Sequence, residues 1–137
     1  MIFNKKENKN DNSYLIKIAA LLIHAAKIDE KYSNEEELII KKTLLDLGAN
    51  VDNLDTLISS AKKSEEQSNQ ILDFTREIKN MEDKEKIKII KSLWRIVYSN
   101  KDVDMYEANL MRRLSGLLYI DSKVMGDIKE AIKKESL

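Results

Sequence analysis

Apolar residues recur along most of the chain at the three- and four-residue spacing of an α-helix. Between Ser13 and Ile28, two stripes, Leu15/Ile18/Leu22/Ala25 and Ile16/Ala19/Ile23/Ala26, cover adjacent faces. A helix apolar on two faces belongs in the middle of a bundle. Ser33-Asn-Glu-Glu36 fits the capping box, in which serine and glutamate each satisfy a backbone N–H of the other. It predicts a second helix through Leu38, Ile39, Leu44 and Leu45, ending at Gly48, a natural residue just past a helix end. Asp52 or Asn53 is placed to cap a short third helix to about Ala61, with Leu54, Leu57 and Ile58 inward. Ser64-Glu-Glu-Gln67 has the capping-box form again and predicts a fourth helix to about Asn80, burying Ile71, Leu72, Phe74 and Ile78. A fifth helix is predicted from about Lys84 to Ser99, with Ile87/Ile90/Trp94/Val97 as its core stripe. Lys84, Lys88, Lys91 and Arg95 form its wet face. Asp104-Met-Tyr-Glu107 is read as the start of a sixth helix carrying Leu110, Met111, Leu114 and Leu118. Asp121 opens a seventh, with Val124, Ile128 and Ile132 inward. The expected fold is all-α, a compact bundle of about seven helices.

The first twelve residues are rich in Asn and Lys and offer little to bury. They are set apart as a disordered polar tail, residues 1–12, ahead of a single helical domain over 13–137. Composition supports this division. There is no proline and there are only three glycines in 137 residues, so few breakers interrupt the helical pattern. The 42% hydrophobic content makes a packed core feasible in one domain.

Two acidic turns repeat one layout 71 positions apart: Asp29-Glu-Lys-Tyr-Ser-Asn-Glu-Glu36 and Asn100-Lys-Asp-Val-Asp-Met-Tyr-Glu107. Flanking residues match at the same offset, among them Ile23/Trp94, Ala26/Val97, Ile40/Met111 and Leu47/Leu118, and Lys41-Lys42 falls on Arg112-Arg113. A period this long points to duplicated helix–turn–helix units, here packed about a pseudo-twofold axis.

In each turn, carboxylate and amide oxygens converge between two helix ends, a donor set suited to Ca²⁺ or Mg²⁺ and acceptable to Zn²⁺. The same residues also serve as helix caps, so capping alone is the competing reading. An EF-hand is excluded, because Met105 and Met111 stand where that loop needs glycine and glutamate. His24, the single histidine, reads as a packed or hydrogen-bonded imidazole. Trp94 and Phe74 read as core, and the paired bases read as solvated faces.

Lys+Arg and Asp+Glu both number 24, so the chain lacks the basic excess of a nucleic-acid binder. With no cysteine, disulfides and thiolate metal sites are excluded. The longest apolar run, Ile18 to Ala26, is too short to span a bilayer, and the N-terminus lacks a secretory core. A cytoplasmic protein without direct membrane insertion is expected. No glycine loop for phosphate and no pairing of nucleophile with base is visible, so the chain reads as non-enzymatic.

At these two turns the sequence resembles the TerB-like family, the helical tellurite-resistance domain related also to the N-terminal domain of DjlA co-chaperones. The stretches that carry the resemblance are Ala25-Ala26-Lys-Ile-Asp29-Glu-Lys-Tyr32-Ser33-Asn-Glu-Glu36 and Ser99-Asn100-Lys-Asp-Val103-Asp104-Met-Tyr106-Glu107. The resemblance runs from Ser13 almost to the C-terminus. It implies an all-helical pseudo-twofold domain with a role in metal-linked stress responses. It also implies metal ligands at Asp29, Glu36 and Glu107, with Asn100 where the family has a second aspartate, and Asp104 as a further candidate. Glu30 and Lys101 replace the family's turn glycines, and Asn100 removes one charge, which weakens a cation site. With no J-domain in the sequence, a complete DjlA-type co-chaperone is not expected. The function expected is therefore a divalent-metal-binding and protein-interaction module of the tellurite-resistance or metal-homeostasis type, monomeric or weakly dimeric. The alternative is a metal-free helical adaptor or co-chaperone-like interaction domain.

Overall fold

A computed structural model describes the backbone of residues 2–27, 33–68, 71–99 and 105–135, with the side chains of residues 2–12, 77 and 105–107 outside the description. Within these bounds the chain folds into seven α-helices and one 3₁₀ turn, with no strand among the described residues. The helices are α1 (Ile2–Ala26), α2 (Asn34–Asp46), α3 (Leu54–Gln67), α4 (Leu72–Ile78), α5 (Asp83–Ser99), α6 (Met105–Leu117) and α7 (Ser122–Glu135).

Helix α1 is the axis of the bundle, as its two apolar stripes predict. Every residue from Ile18 to Ile23 is buried, along with Leu15, Ala25 and Ala26. Four helices, α2, α3, α4 and α5, pack around it. Helix α5 is the second central element, touching α1, α2 and α7. Its apolar face is broader than the four residues of the expected stripe. Ile89, Leu93 and Ile96 are buried beside Ile90, Trp94 and Val97, whereas Ile87 is only partly covered. A helix with neighbours on three sides needs that second stripe. On α7 the inward set is Met125, Ile128 and Ile132, with Val124 half-buried at the margin.

Three boundaries differ from the sequence reading. Helical backbone starts at Ile2 rather than near Ser13, so the segment set apart as a disordered tail is helical from residue 2. Lys and Glu are good helix formers, and no Gly or Pro separates this segment from α1, so the helix propagates. Ser64-Glu-Glu-Gln67 lies inside the last turns of α3 and does not start a helix. The stripe Leu54/Leu57/Ile58/Ala61 anchors α3 against α1, and nothing before Gln67 stops it. The chain turns instead at Ser68, whose hydroxyl donates to Asp73 Oδ2 at 2.5 Å, and α4 is a short piece with Ile71, Phe74 and Ile78 buried and Leu72 exposed. Ahead of α3, Asn50 caps the 3₁₀ turn Val51–Asn53 by accepting from Asp52 N–H at 3.0 Å, so Asn53 has no capping side-chain bond to make.

Several helices correspond at the 71-residue offset. Helices α2 and α6 each contain 13 residues and stand in register at the 71-residue offset. Helix α1 packs on α3, and α5 packs on α7, which are the corresponding pairs. Ile23 and Trp94, equivalent by the offset, are both buried, on α1 and α5.

Two polar links fasten the bundle, the first between the halves and the second within the second half. The hydroxyls of Thr43 on α2 and Ser92 on α5 bond to each other in the core. Thr43 also donates to the Ile39 carbonyl at 2.9 Å, so the proton shared between the hydroxyls comes from Ser92. At the surface, Arg95 makes a two-pronged bond to Glu135 at 3.0 and 3.1 Å, tying α5 to the end of α7. That bond, against slight burial, holds the Glu135 carboxyl below its ordinary range.

Candidate functional site

Glu36 is the one predicted ligand whose side chain is described, and it is fully buried. It sits in the first turn of α2, where three backbone N–H groups lack a partner inside the helix and the dipole favours a negative charge. Ser33 has extended backbone, and its hydroxyl oxygen accepts from Glu36 N–H at 3.1 Å. In return Glu36 Oε1 accepts both the backbone N–H and the hydroxyl of Ser33, each at 2.9 Å. The capping box predicted from Ser33-x-x-Glu36 is therefore complete, and it engages the carboxylate through Oε1. Water is excluded from a carboxylate at this position, which raises the value of any positive partner.

Asp29, Asn100 and Asp104 lie outside the described residues. Glu107 is the third residue of α6, as Glu36 is of α2, and its side chain is likewise outside the description. The two glutamates thus occupy the same step of helices equal in length. Among the described residues, no three His, Asp or Glu side chains converge as a metal-binding group. The donors named by the sequence are carboxylates and one amide, all hard oxygens, a set that fits Ca²⁺ or Mg²⁺ better than Zn²⁺.

A second charged cluster is not legible in the sequence, because its acid sits 38 and 41 positions from its two bases, on α3 and at the end of α1. Glu65 is only 11% exposed and accepts from Lys27 Nζ at 2.7 Å, with His24 Nδ1 at 3.3 Å from its other oxygen. Burial pushes the Glu65 carboxyl up, but the bonds from Lys27 and His24 outweigh it and bring the group below its ordinary range. The bond to Glu65 raises Lys27 correspondingly, against slight desolvation. His24 is thus a hydrogen-bonded, half-buried imidazole, as expected. This cluster locks the end of α1 to α3.

The sequence profile of tellurite resistance protein TerB matches residues 15–130, most of the chain. The chain belongs to the TerB family. No curated protein and no solved structure matches it significantly. The match spans both acidic turns of this TerB-family chain and all of α2 through α6. No helix among the described residues is long and apolar enough to cross a membrane.

Proposed function

We propose that this TerB-family chain is a non-enzymatic cytoplasmic module that binds a divalent cation at its acidic helix starts and presents the bundle to a protein partner. In this reading it serves a metal-linked stress response of the tellurite-resistance type. Asp29, Glu36, Asn100 and Glu107, with Asp104 as an additional donor, hold the cation. The two helix–turn–helix units are related by a pseudo-twofold axis that brings the turns together. The observation that carries this reading is the fully buried Glu36 carboxylate in the first turn of α2, with Glu107 at the same step of α6. When bound, a hard cation supplies charge that crosslinks two helix starts, and it stabilises whichever arrangement the partner recognises.

The complete Ser33–Glu36 capping box favours a second reading, a metal-free adaptor in which these glutamates only terminate helices. Metal content of the purified protein, combined with thermal melts of wild type and Glu36→Gln in added Ca²⁺, Mg²⁺ and Zn²⁺, separates the two. Metal-dependent stabilisation that Glu36→Gln loses supports the first. Identical melts with and without metal support the second.

A further inference from the structure

A cleft of about 270 Å³ opens between α5, α6 and α7, away from the Ser33–Glu36 box. Trp94, Met111 and Met125 form its apolar floor, while Arg112 and Lys129 stand at its rim. Its volume lies at the small end of ligand sites, and two thioethers beside an indole make a floor that adapts to an apolar guest. Trp94 is buried, yet its indole N–H has no acceptor among the described residues. That N–H is closed off from solvent, so it takes no part in binding from the cleft.

The internal repeat sets the cleft against the first half. In the first half, Lys41 occupies the place of Arg112 and is neutralised by Glu37 at 3.8 Å and Asp55 at 3.4 Å. At the 71-residue offset those two acids become Ala108 and Gly126, both of which line the cleft. The second half thus has no carboxylate at either position. Ile58 likewise becomes Lys129, whose ammonium lies 5.5 Å from the Trp94 ring centroid. Neither Arg112 nor Lys129 forms an ion pair among the described residues, unlike Lys41. Two cations with no ion-pair partner among the described residues, above an apolar floor, define the complement of a small amphipathic anion.

We propose that the α5–α6–α7 cleft binds a small carboxylate with an apolar body, its carboxylate between Arg112 and Lys129 and its hydrocarbon over Trp94, Met111 and Met125. Because Trp94 is the only tryptophan, its fluorescence reports occupancy directly. Octanoate is the probe, with octanol and octylammonium as neutral and cationic counterparts of equal length. Saturable quenching or enhancement by octanoate is expected, with both counterparts about tenfold weaker. Arg112→Gln and Lys129→Gln should each weaken octanoate about fivefold and leave octanol unchanged. Gly126→Leu should weaken binding, since Gly126 lines the cleft and a Cβ there meets no atom within 4 Å, which leaves room for a bulky side chain at the cleft wall. Leucine is also the better helix former, so the variant should melt no lower than wild type, which separates blocking from misfolding. Equal binding of octanoate and octanol, unimpaired binding by Gly126→Leu, or no saturable change at millimolar octanoate would overturn the proposal. So would a peptide with a free apolar C-terminus that binds more tightly than octanoate, because the site would then be a peptide pocket.

Discussion

Gly48 and Tyr119 occupy the same position past the ends of α2 and α6, and both have left-handed backbone, with φ of 106° and 57°. The bonds around them correspond one for one. Ala49 N–H reaches the Leu44 carbonyl and Ile120 N–H the Ser115 carbonyl, each at 2.9 Å. Gly48 and Tyr119 donate to Leu45 and Gly116 at 3.1 and 3.3 Å. Both helices thus end in a Schellman motif, once with the residue suited to it and once with a tyrosine that carries strain.

Exchanging these residues tests the balance at each end. Gly48→Ala should lower stability by about 1 kcal/mol, read from the urea midpoint at unchanged slope, because a Cβ at that φ is strained. Tyr119→Gly relieves the same strain but removes a ring that Lys79 and Lys86 approach at 5.8 and 5.9 Å. Its net gain should therefore be only a few tenths of a kcal/mol. A large loss in Tyr119→Gly would show that the aromatic contacts outweigh the strain.

Much of this architecture is legible in the residue pattern, and the failures have physical causes. The starts of α2 and α5, the apolar set of α6 and the buried centre of α1 follow from periodicity and capping residues. The α3–α4 boundary does not, because Ser64-Glu-Glu-Gln67 satisfies the capping pattern while the tertiary contacts of α3 carry the helix through it. Glu36 is readable because its partner Ser33 is three residues away. Glu65 is not, because its partners are distant in sequence. The cleft is hidden for a third reason: Trp94 and Met111 look like core, and Arg112 looks like a wet-face residue. Only alignment of the two halves, setting Ala108 and Gly126 against Glu37 and Asp55, reveals it.

The Thr43–Ser92 pair should behave as a coupled unit. Thr43→Val leaves the Ser92 hydroxyl without its acceptor in the core and should cost about 1–2 kcal/mol. Adding Ser92→Ala removes the stranded donor, so the double variant should be about 1 kcal/mol more stable than the sum of the singles. The other half supports this outcome, since the equivalent positions hold Leu114 and Leu21, both fully buried. Additive losses in a denaturation cycle would show that the hydroxyls do not depend on each other.

The Glu65 cluster predicts a dependence on acid. The carboxyl has a lower pKa folded than unfolded, so its contribution is present above the ordinary carboxylate range and fades as pH falls through the folded value. Lys27 is largely exposed to water, which limits the contribution to about 1 kcal/mol. Glu65→Gln should lower stability at pH 7 by that amount and converge with wild type in strong acid. Parallel pH profiles for the two proteins would rule out this ion pair as a source of acid sensitivity.

Thermal melts of wild type, Glu36→Gln and Ser33→Ala with and without divalent metal test most directly whether Glu36 is a metal ligand or only a helix cap. Without metal, Glu36→Gln should stay within about 1 kcal/mol of wild type, because an amide oxygen can still accept from Ser33. Ser33→Ala should lose about 1 kcal/mol with or without metal, since it removes a cap alone. A cation at 100 times its Kd should stabilise wild type by about 2.7 kcal/mol. Glu36→Gln, having lost a full negative charge at the site, should gain little of that. If millimolar Ca²⁺, Mg²⁺ and Zn²⁺ leave the wild-type melting temperature unchanged, or shift wild type and Glu36→Gln alike, Glu36 is a helix cap and the metal site does not exist.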